Sequence, residues 1–142
     1  MPTISIIIPT YTNAAGLRDC LKTIVDCTNL YGVEIIVVAI GAPAETRAVE
    51  ADFPVRLLWF DRPIGYTRAT NEGIKVATGD YLVLLNDDTV VLGPGWLDIL
   101  IAPFSDARQW NIGCEHVGIT GPMMEWDPNS NAKFLIFFCV MI

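Results

Sequence analysis

Five apolar residues, Tyr81-Leu82-Val83-Leu84-Leu85, run directly from a Gly79-Asp80 turn into Asn86-Asp87-Asp88. An unbroken apolar run of that length between two turn signals predicts a strand buried on both faces, as in a parallel sheet covered by helices. Its carboxylates then lie at the strand's C-terminal end, the edge at which open α/β sheets bind ligands. They are candidates for metal or substrate contact, and the competing reading is a polar turn that simply ends a strand. Side chains alternate along an extended backbone, so Asn86 and Asp88 are expected on one side and Asp87 on the other. A hard cation would meet Asp88 first, with Asn86 or Asp87 in support.

The rest of the chain fits around such a strand. Ile4 to Ile8 is a first strand, stopped by Pro9, and Leu17, Leu21, Ile24 and Val25 recur at helical spacing after the cap candidates Thr12 and Asn13. Glu34 to Ile40 is a second buried strand, Ala44 to Ala51 a short helix, and Val55 to Phe60 a third strand. Tyr66 to Ala77 reads as a helix closed by Gly79, with Gly73 allowing it to pack close to the sheet. Pro94 suits the first turn of a helix over Gly95 to Ile101 that Pro103 ends. Val117 to Thr120 and Lys133 to Ile142 are two further expected strands. Strands alternating with helices predict a single α/β domain with a mostly parallel, Rossmann-like sheet flanked by helices.

Composition excludes several functions. With 142 residues and a hydrophobic fraction of 52%, the chain can fill one core. Nine basic against 16 acidic residues give a net charge of −7, and no segment clusters Lys or Arg, which argues against a nucleic-acid partner. Cys20, Cys27, Cys114 and Cys139 form no C-x-x-C pair, so a zinc site is not expected, and Cys20 and Cys27 read as half-buried thiols on one helix. Reduced thiols and the absence of a basic leader before Ile4 fit a cytoplasmic protein, and the nine-residue apolar run from Phe134 is too short to span a bilayer. Neither G-x-G-x-x-G nor G-x-x-x-x-G-K-[ST] occurs, which removes dinucleotide and P-loop enzymes.

Four segments in order resemble family 2 glycosyltransferases: Ser5-Ile6-Ile7-Ile8-Pro9-Thr10-Tyr11, Gly65 to Ile74, Ala77-Thr78-Gly79-Asp80-Tyr81, and Leu85-Asn86-Asp87-Asp88-Thr89. The resemblance covers nearly the whole chain. It implies a GT-A fold that binds a nucleotide-sugar donor and transfers the sugar with inversion. It further implies that Pro9, Thr10 and Tyr11 line the nucleoside pocket and that Asp88, last in the Asp-x-Asp-like turn, binds Mg²⁺ or Mn²⁺ on the donor diphosphate. Such an ion acts as a Lewis acid on the leaving group. Thr10 and Tyr11 suit a nucleoside that needs both a flat apolar surface and a polar handle. Arg68, on the helix before the carboxylate strand, is a candidate for bidentate phosphate contact. The expected substrate-binding residues are thus Pro9, Thr10, Tyr11, Arg68, Asn86 and Asp87, with Asp88 as the metal ligand.

The departures from the family pattern bear on the donor. After the second strand relatives place an aspartate, a polar residue and Gly-Ser, where this chain has Ala39-Ile40-Gly41-Ala42, and the usual asparagine two residues before Gly65 is Pro63. Asp61 is a candidate replacement for the missing polar contact. The chain ends in the apolar stretch from Phe134 to Ile142, where relatives continue into the acceptor site and the general base. Residues 1–142 are therefore expected to be one donor-binding domain, apparently truncated at its C-terminus, whose terminal strand offers an edge for self-association. His116, Asp87 and Glu125 are weak candidates for a base, and Trp126 for an acceptor platform. The alternative function is a non-catalytic nucleotide-sugar-binding module or inactive fragment.

Overall fold

The structure, a computed structural model, describes residues 2–105 and 139–141. In chain order the elements are β1 (Ile4–Thr10), α1 (Ala14–Cys27), β2 (Val33–Ile40), a 3-10 turn (Ala44–Ala48) leading into the short α2 (Val49–Asp52), β3 (Val55–Phe60), α3 (Tyr66–Val76), β4 (Tyr81–Leu85), α4 (Trp96–Ser105) and β5 (Cys139–Met141). They form one five-stranded sheet in the order β3-β2-β1-β4-β5. The first four strands are parallel, and β5 joins β4 antiparallel through Leu85↔Cys139, Leu84↔Val140 and Val83↔Met141.

β1 is the centre of this arrangement because its sequence suits burial on both faces. All seven of its residues are buried. Ile6 and Ile8 pack with Leu17, Leu21 and Ile24 of α1 and with Val83 and Leu85 of β4. Ile7 faces the other way, with Ile36, Val38 and Ala69. β-branched side chains are stiff and fill a pleated surface well, which is why the Ile/Val runs of β1 and β2 occupy interior positions of the sheet. Gly73 sets how near α3 lies, since a Cβ there would stand 2.5 Å from Ile7 Cγ2 and 3.2 Å from Val38 Cγ2.

Three proline readings change. β1 continues through Pro9 to Thr10 instead of stopping at Ile8. The pairing with β4 ends at Ile7↔Leu84, so beyond Ile7 the strand has a neighbour only in β2, and a proline at such an edge need not break the sheet. Likewise α4 carries Pro103 inside it and runs on to Ser105, and Pro94 precedes the helix rather than entering its first turn. A proline near a helix's end removes one hydrogen bond from the last turn and leaves the preceding turns intact. The expected strand over 117–120, and the expected strand from Lys133 up to Phe138, lie outside the described residues. So do His116, Glu125 and Trp126.

At the N-terminal end of the strands a hydrogen-bond network joins β1, β2 and the approach to β4. Glu34 Oε1 accepts from Ser5 Oγ at 2.5 Å, from the Thr78 amide at 2.6 Å and from Thr78 Oγ1 at 2.8 Å. Ser5 Oγ in turn accepts from the Gly79 amide at 2.8 Å. Asp80 accepts from the Thr3 amide at 2.8 Å and from Thr3 Oγ1 at 2.9 Å. Burial works against the charge of Glu34, but the bonds from Ser5 and Thr78, with the charge of Arg56, outweigh it and hold the carboxyl below its ordinary value. The Thr3 amide and hydroxyl lower Asp80 in the same sense.

Candidate functional site

The chain runs β1, β2, β3 in one direction and then crosses back to place β4 on the other side of β1. Between β1 and β4 the strand order therefore reverses, and open α/β sheets bind ligands outside the C-terminal ends of their strands at such a switch point. A cleft of about 430 Å³ lies there. It falls within the range of roughly 300–1,000 Å³ typical of small-molecule sites.

The walls come from four places. β1 supplies Pro9, Thr10 and the following Tyr11; β2 ends in Ile40; the β3–α3 connection and the first turn of α3 give Pro63, Gly65 and Tyr66; and β4 delivers Asn86, Asp87 and Asp88. The cleft is thus divided. Its carboxylates and amide come from β4, while Ile40, Pro63 and the two prolyl and aromatic neighbours from β1 make the remainder largely apolar. Tyr11 and Tyr66 are each about half exposed, at 48% and 51%. Ile40 and Pro63 are brought together through Gly41, which follows the one and packs on the other. Gly41 has φ of 62°, and a Cβ on it would lie 2.7 Å from Pro63 Cδ. Only a glycine combines that backbone with that contact.

The turn after β4 is fixed from both faces of the sheet. On the α3 face, Tyr66 Oη donates to Asn86 Oδ1 at 3.3 Å. On the α1 face, Asp87 Oδ2 accepts from Thr10 Oγ1 at 2.7 Å and Oδ1 accepts from Asn13 Nδ2 at 3.5 Å. Asn13 also caps α1, its Oδ1 accepting from the Gly16 amide at 3.1 Å. The buried Cys20 thiol donates to the Asn86 carbonyl at 3.7 Å. Asn86 and Asp87 thus take partners on opposite faces, as strand alternation predicts. Asp88 is exposed, and among the described residues its carboxylate makes no hydrogen bond or ion pair.

Six of the seven expected site residues meet in this cleft: Pro9, Thr10, Tyr11, Asn86, Asp87 and Asp88. Arg68 does not line it. It is exposed on α3, two residues past Tyr66 and so about 200° around the helix from it. Asp61 also stands apart from the cleft and accepts from Trp59 Nε1 at 3.0 Å. Thr10 is 3% exposed with its hydroxyl held by Asp87, so it braces the turn while lining the cleft. The sequence reading missed Tyr66, Ile40 and Asn13. The available signal for Tyr66 was its place as first residue of the helix that feeds the carboxylate strand. Cys20 is fully buried rather than half-buried, and Cys27, partly buried, donates to the Val91 carbonyl at 3.8 Å.

For a metal ion the described residues lining the cleft offer one carboxylate without a partner, that of Asp88. Among them no group of three or more His, Cys, Asp or Glu stands close enough to enclose a cation. Asp88 alone suits a loosely held ion whose other positions go to phosphate and water. No helix among the described residues is long and apolar enough to cross a membrane.

Comparison with known proteins agrees with this geometry. The family model described as "Glycosyl transferase family 2" matches residues 5–139. The chain belongs to that family. It is 32% identical over 120 residues to the uncharacterized protein y4gI of Sinorhizobium fredii, covering 80% of this chain and 13% of that protein. It is 29% identical over 119 residues to the O-antigen biosynthesis protein RfbC of Myxococcus xanthus, covering 80% of this chain and 9% of the relative. The chain therefore spans only a small part of the length of these two relatives. Its fold is similar to that of the mannosyltransferase PcManGT from Pyrobaculum calidifontis in complex with GDP-Man and Mn²⁺, with a TM-score of 0.64 at 21% identity over 83% of this chain and 34% of the other. The α/β, GT-A type of sheet expected from the sequence is the one found.

Proposed function

We propose that residues 1–142 form the donor-binding domain of an inverting, metal-dependent glycosyltransferase that takes a nucleoside-diphosphate-sugar. The observation that carries this reading is the divided cleft at the β1/β4 switch point, apolar and aromatic on one side and ending on the other in Asp88, which has no partner among the described residues. A nucleotide-sugar has the matching division. Its base offers a flat face for Tyr11 and the apolar wall, and its diphosphate needs positive charge beside Asp88. Mg²⁺ or Mn²⁺ held by Asp88 would supply that charge and stabilise the nucleoside diphosphate as it leaves. Thr10 and Asn13 hold Asp87, which keeps the backbone of the turn, and with it Asp88, at a fixed place on the cleft rim. The similarity to a fold that binds GDP-Man and Mn²⁺ supports the same reading. This reading has the domain working in the cytoplasm, on an acceptor that is a hydroxyl-bearing molecule.

A second reading is a non-catalytic nucleotide-sugar-binding module. It is favoured by one observation: among the described residues, Asp87 and Asp88 are the only carboxylates lining the cleft, and Asp87 is engaged on both oxygens. Neither is placed as a general base for an acceptor hydroxyl. Calorimetric titration of GDP, UDP, ADP and TDP, with and without Mn²⁺, tests the donor site. Mn²⁺-dependent binding that falls at least tenfold in Asp88→Asn is expected, and its absence for every nucleotide defeats the proposal. Donor hydrolysis or transfer by the purified chain then separates enzyme from module.

A further inference from the structure

Tyr66 is tied to the turn after β4 by a single long hydrogen bond, and the rest of its side chain is open to the cleft. Its ring is half exposed, it lines the cleft, and its hydroxyl reaches across from α3 to the end of β4. A tyrosine left in water at a cleft wall offers apolar area and a polar tip together, which is what amphipathic ligands use. Among the described residues its hydroxyl makes one hydrogen bond, to Asn86 Oδ1. With that oxygen taken, the Asn86 amide nitrogen, a donor of two hydrogen bonds, has no partner among the described residues and is left for a ligand of the cleft that Asn86 lines. Asn86 is neutral beside Asp87 and Asp88, so this arrangement adds donors to the rim without adding a third negative charge near an anionic ligand.

We propose that Tyr66 is a donor-contacting residue that acts twice, its ring packing on the bound nucleotide and its hydroxyl orienting Asn86 to donate to the phosphate or sugar oxygens. This rests on the donor-site reading above and deepens it. The two functions are separable by substitution. Tyr66→Phe keeps the ring and removes the tether; Tyr66→Ala removes both; Asn86→Ala removes what the tether orients.

The test is calorimetry of the purified chain with GDP, UDP, ADP and TDP in Mn²⁺, using whichever nucleotide binds the wild type most tightly for the variants. Tyr66→Phe is expected to weaken binding roughly threefold to tenfold, the loss of one net hydrogen bond. Tyr66→Ala should weaken it by a further factor of roughly ten from lost ring contact. The decisive comparison is a double-mutant cycle: Tyr66→Phe made in the Asn86→Ala background should change nothing, because the hydroxyl acts through Asn86. All three variants should keep the wild-type thermal transition, which a merely structural tyrosine would not allow. Wild-type affinity in Tyr66→Phe and Tyr66→Ala, or additive losses in the cycle, overturns the inference while leaving the donor site standing. Failure of the wild type to bind any of the four nucleotides defeats the donor site itself, and this inference with it.

Discussion

The two ends of the sheet are furnished with the same kinds of group and use them in opposite ways. At the N-terminal end, Glu34 accepts three hydrogen bonds and Asp80 two, and both carboxyls are held below their ordinary values. At the C-terminal end, Asp87 is braced by Thr10 and Asn13, but the next residue, Asp88, has no partner among the described residues. Two tyrosines stand half exposed beside it. A saturated carboxylate stabilises the state that saturates it, whereas an unpartnered one at a cleft rim retains its capacity for something else. Number of partners, more than acidity or place along a strand, separates brace from candidate ligand.

That contrast breaks first where backbone packs on backbone. A Cβ at Gly79 would lie 2.5 Å from the Ser5 amide nitrogen and 2.7 Å from the Ile4 carbonyl carbon. Gly79→Ala should therefore destabilise the protein by about 3 kcal/mol, the upper end of overpacking costs, measured as a shift in urea midpoint. An unchanged midpoint would mean that the N-terminal end yields easily and is no clamp.

A smaller effect is expected from Glu34→Gln, about 1–2 kcal/mol, since charge-assisted bonds from Ser5 and Thr78 become neutral ones. The pH dependence has a definite sign. Because the folded-state values of Glu34 and Asp80 are lowered, their contribution is present above the ordinary carboxylate range and is lost as pH falls through it toward the lowered values. Thermal melts of the wild type should drop below about pH 4.3, and those of Glu34→Gln should drop less steeply. Parallel curves would remove Glu34 from the account.

The smallest stability effect belongs to the residue with the largest expected binding effect. Asp88→Asn should leave the urea midpoint within about 0.5 kcal/mol of wild type, as for an exposed side chain without partners. A marked loss of stability would show that Asp88 is a brace like Asp87, and the contrast between the two ends would collapse.

Much of this was legible in the sequence, for a local reason. The apolar runs of β1, β2 and β4 exceed what any surface element tolerates, so they announce buried strands, and the Asn13 cap and Gly73 contact follow from residue type alone. The opposite pointing of Asn86 and Asp87 needs only alternation. Pro9 and Pro103 were misread because a proline's effect depends on which neighbour would have received its missing N–H, and that is settled by the sheet order and helix length. Tyr66 escaped because its partner lies 20 residues away, and Asn13's second role because Asp87 lies 74 away. Glu34 looked like the first residue of a strand, and its three donors come from Ser5 and Thr78, in two other parts of the chain.

The bond from Thr10 to Asp87 joins residues 77 apart. Closing so long a loop is entropically slow, and contacts of that separation form late when a chain folds. The β1-α1-β2-β3 half can organise itself before β4 arrives, but the cleft exists only once β4 has crossed back beside β1. A ligand of this cleft therefore has nothing to bind in the partly folded chain. Its stabilisation should appear as slower unfolding, with the folding rate almost unchanged, so that the occupied protein is longer-lived without being quicker to form.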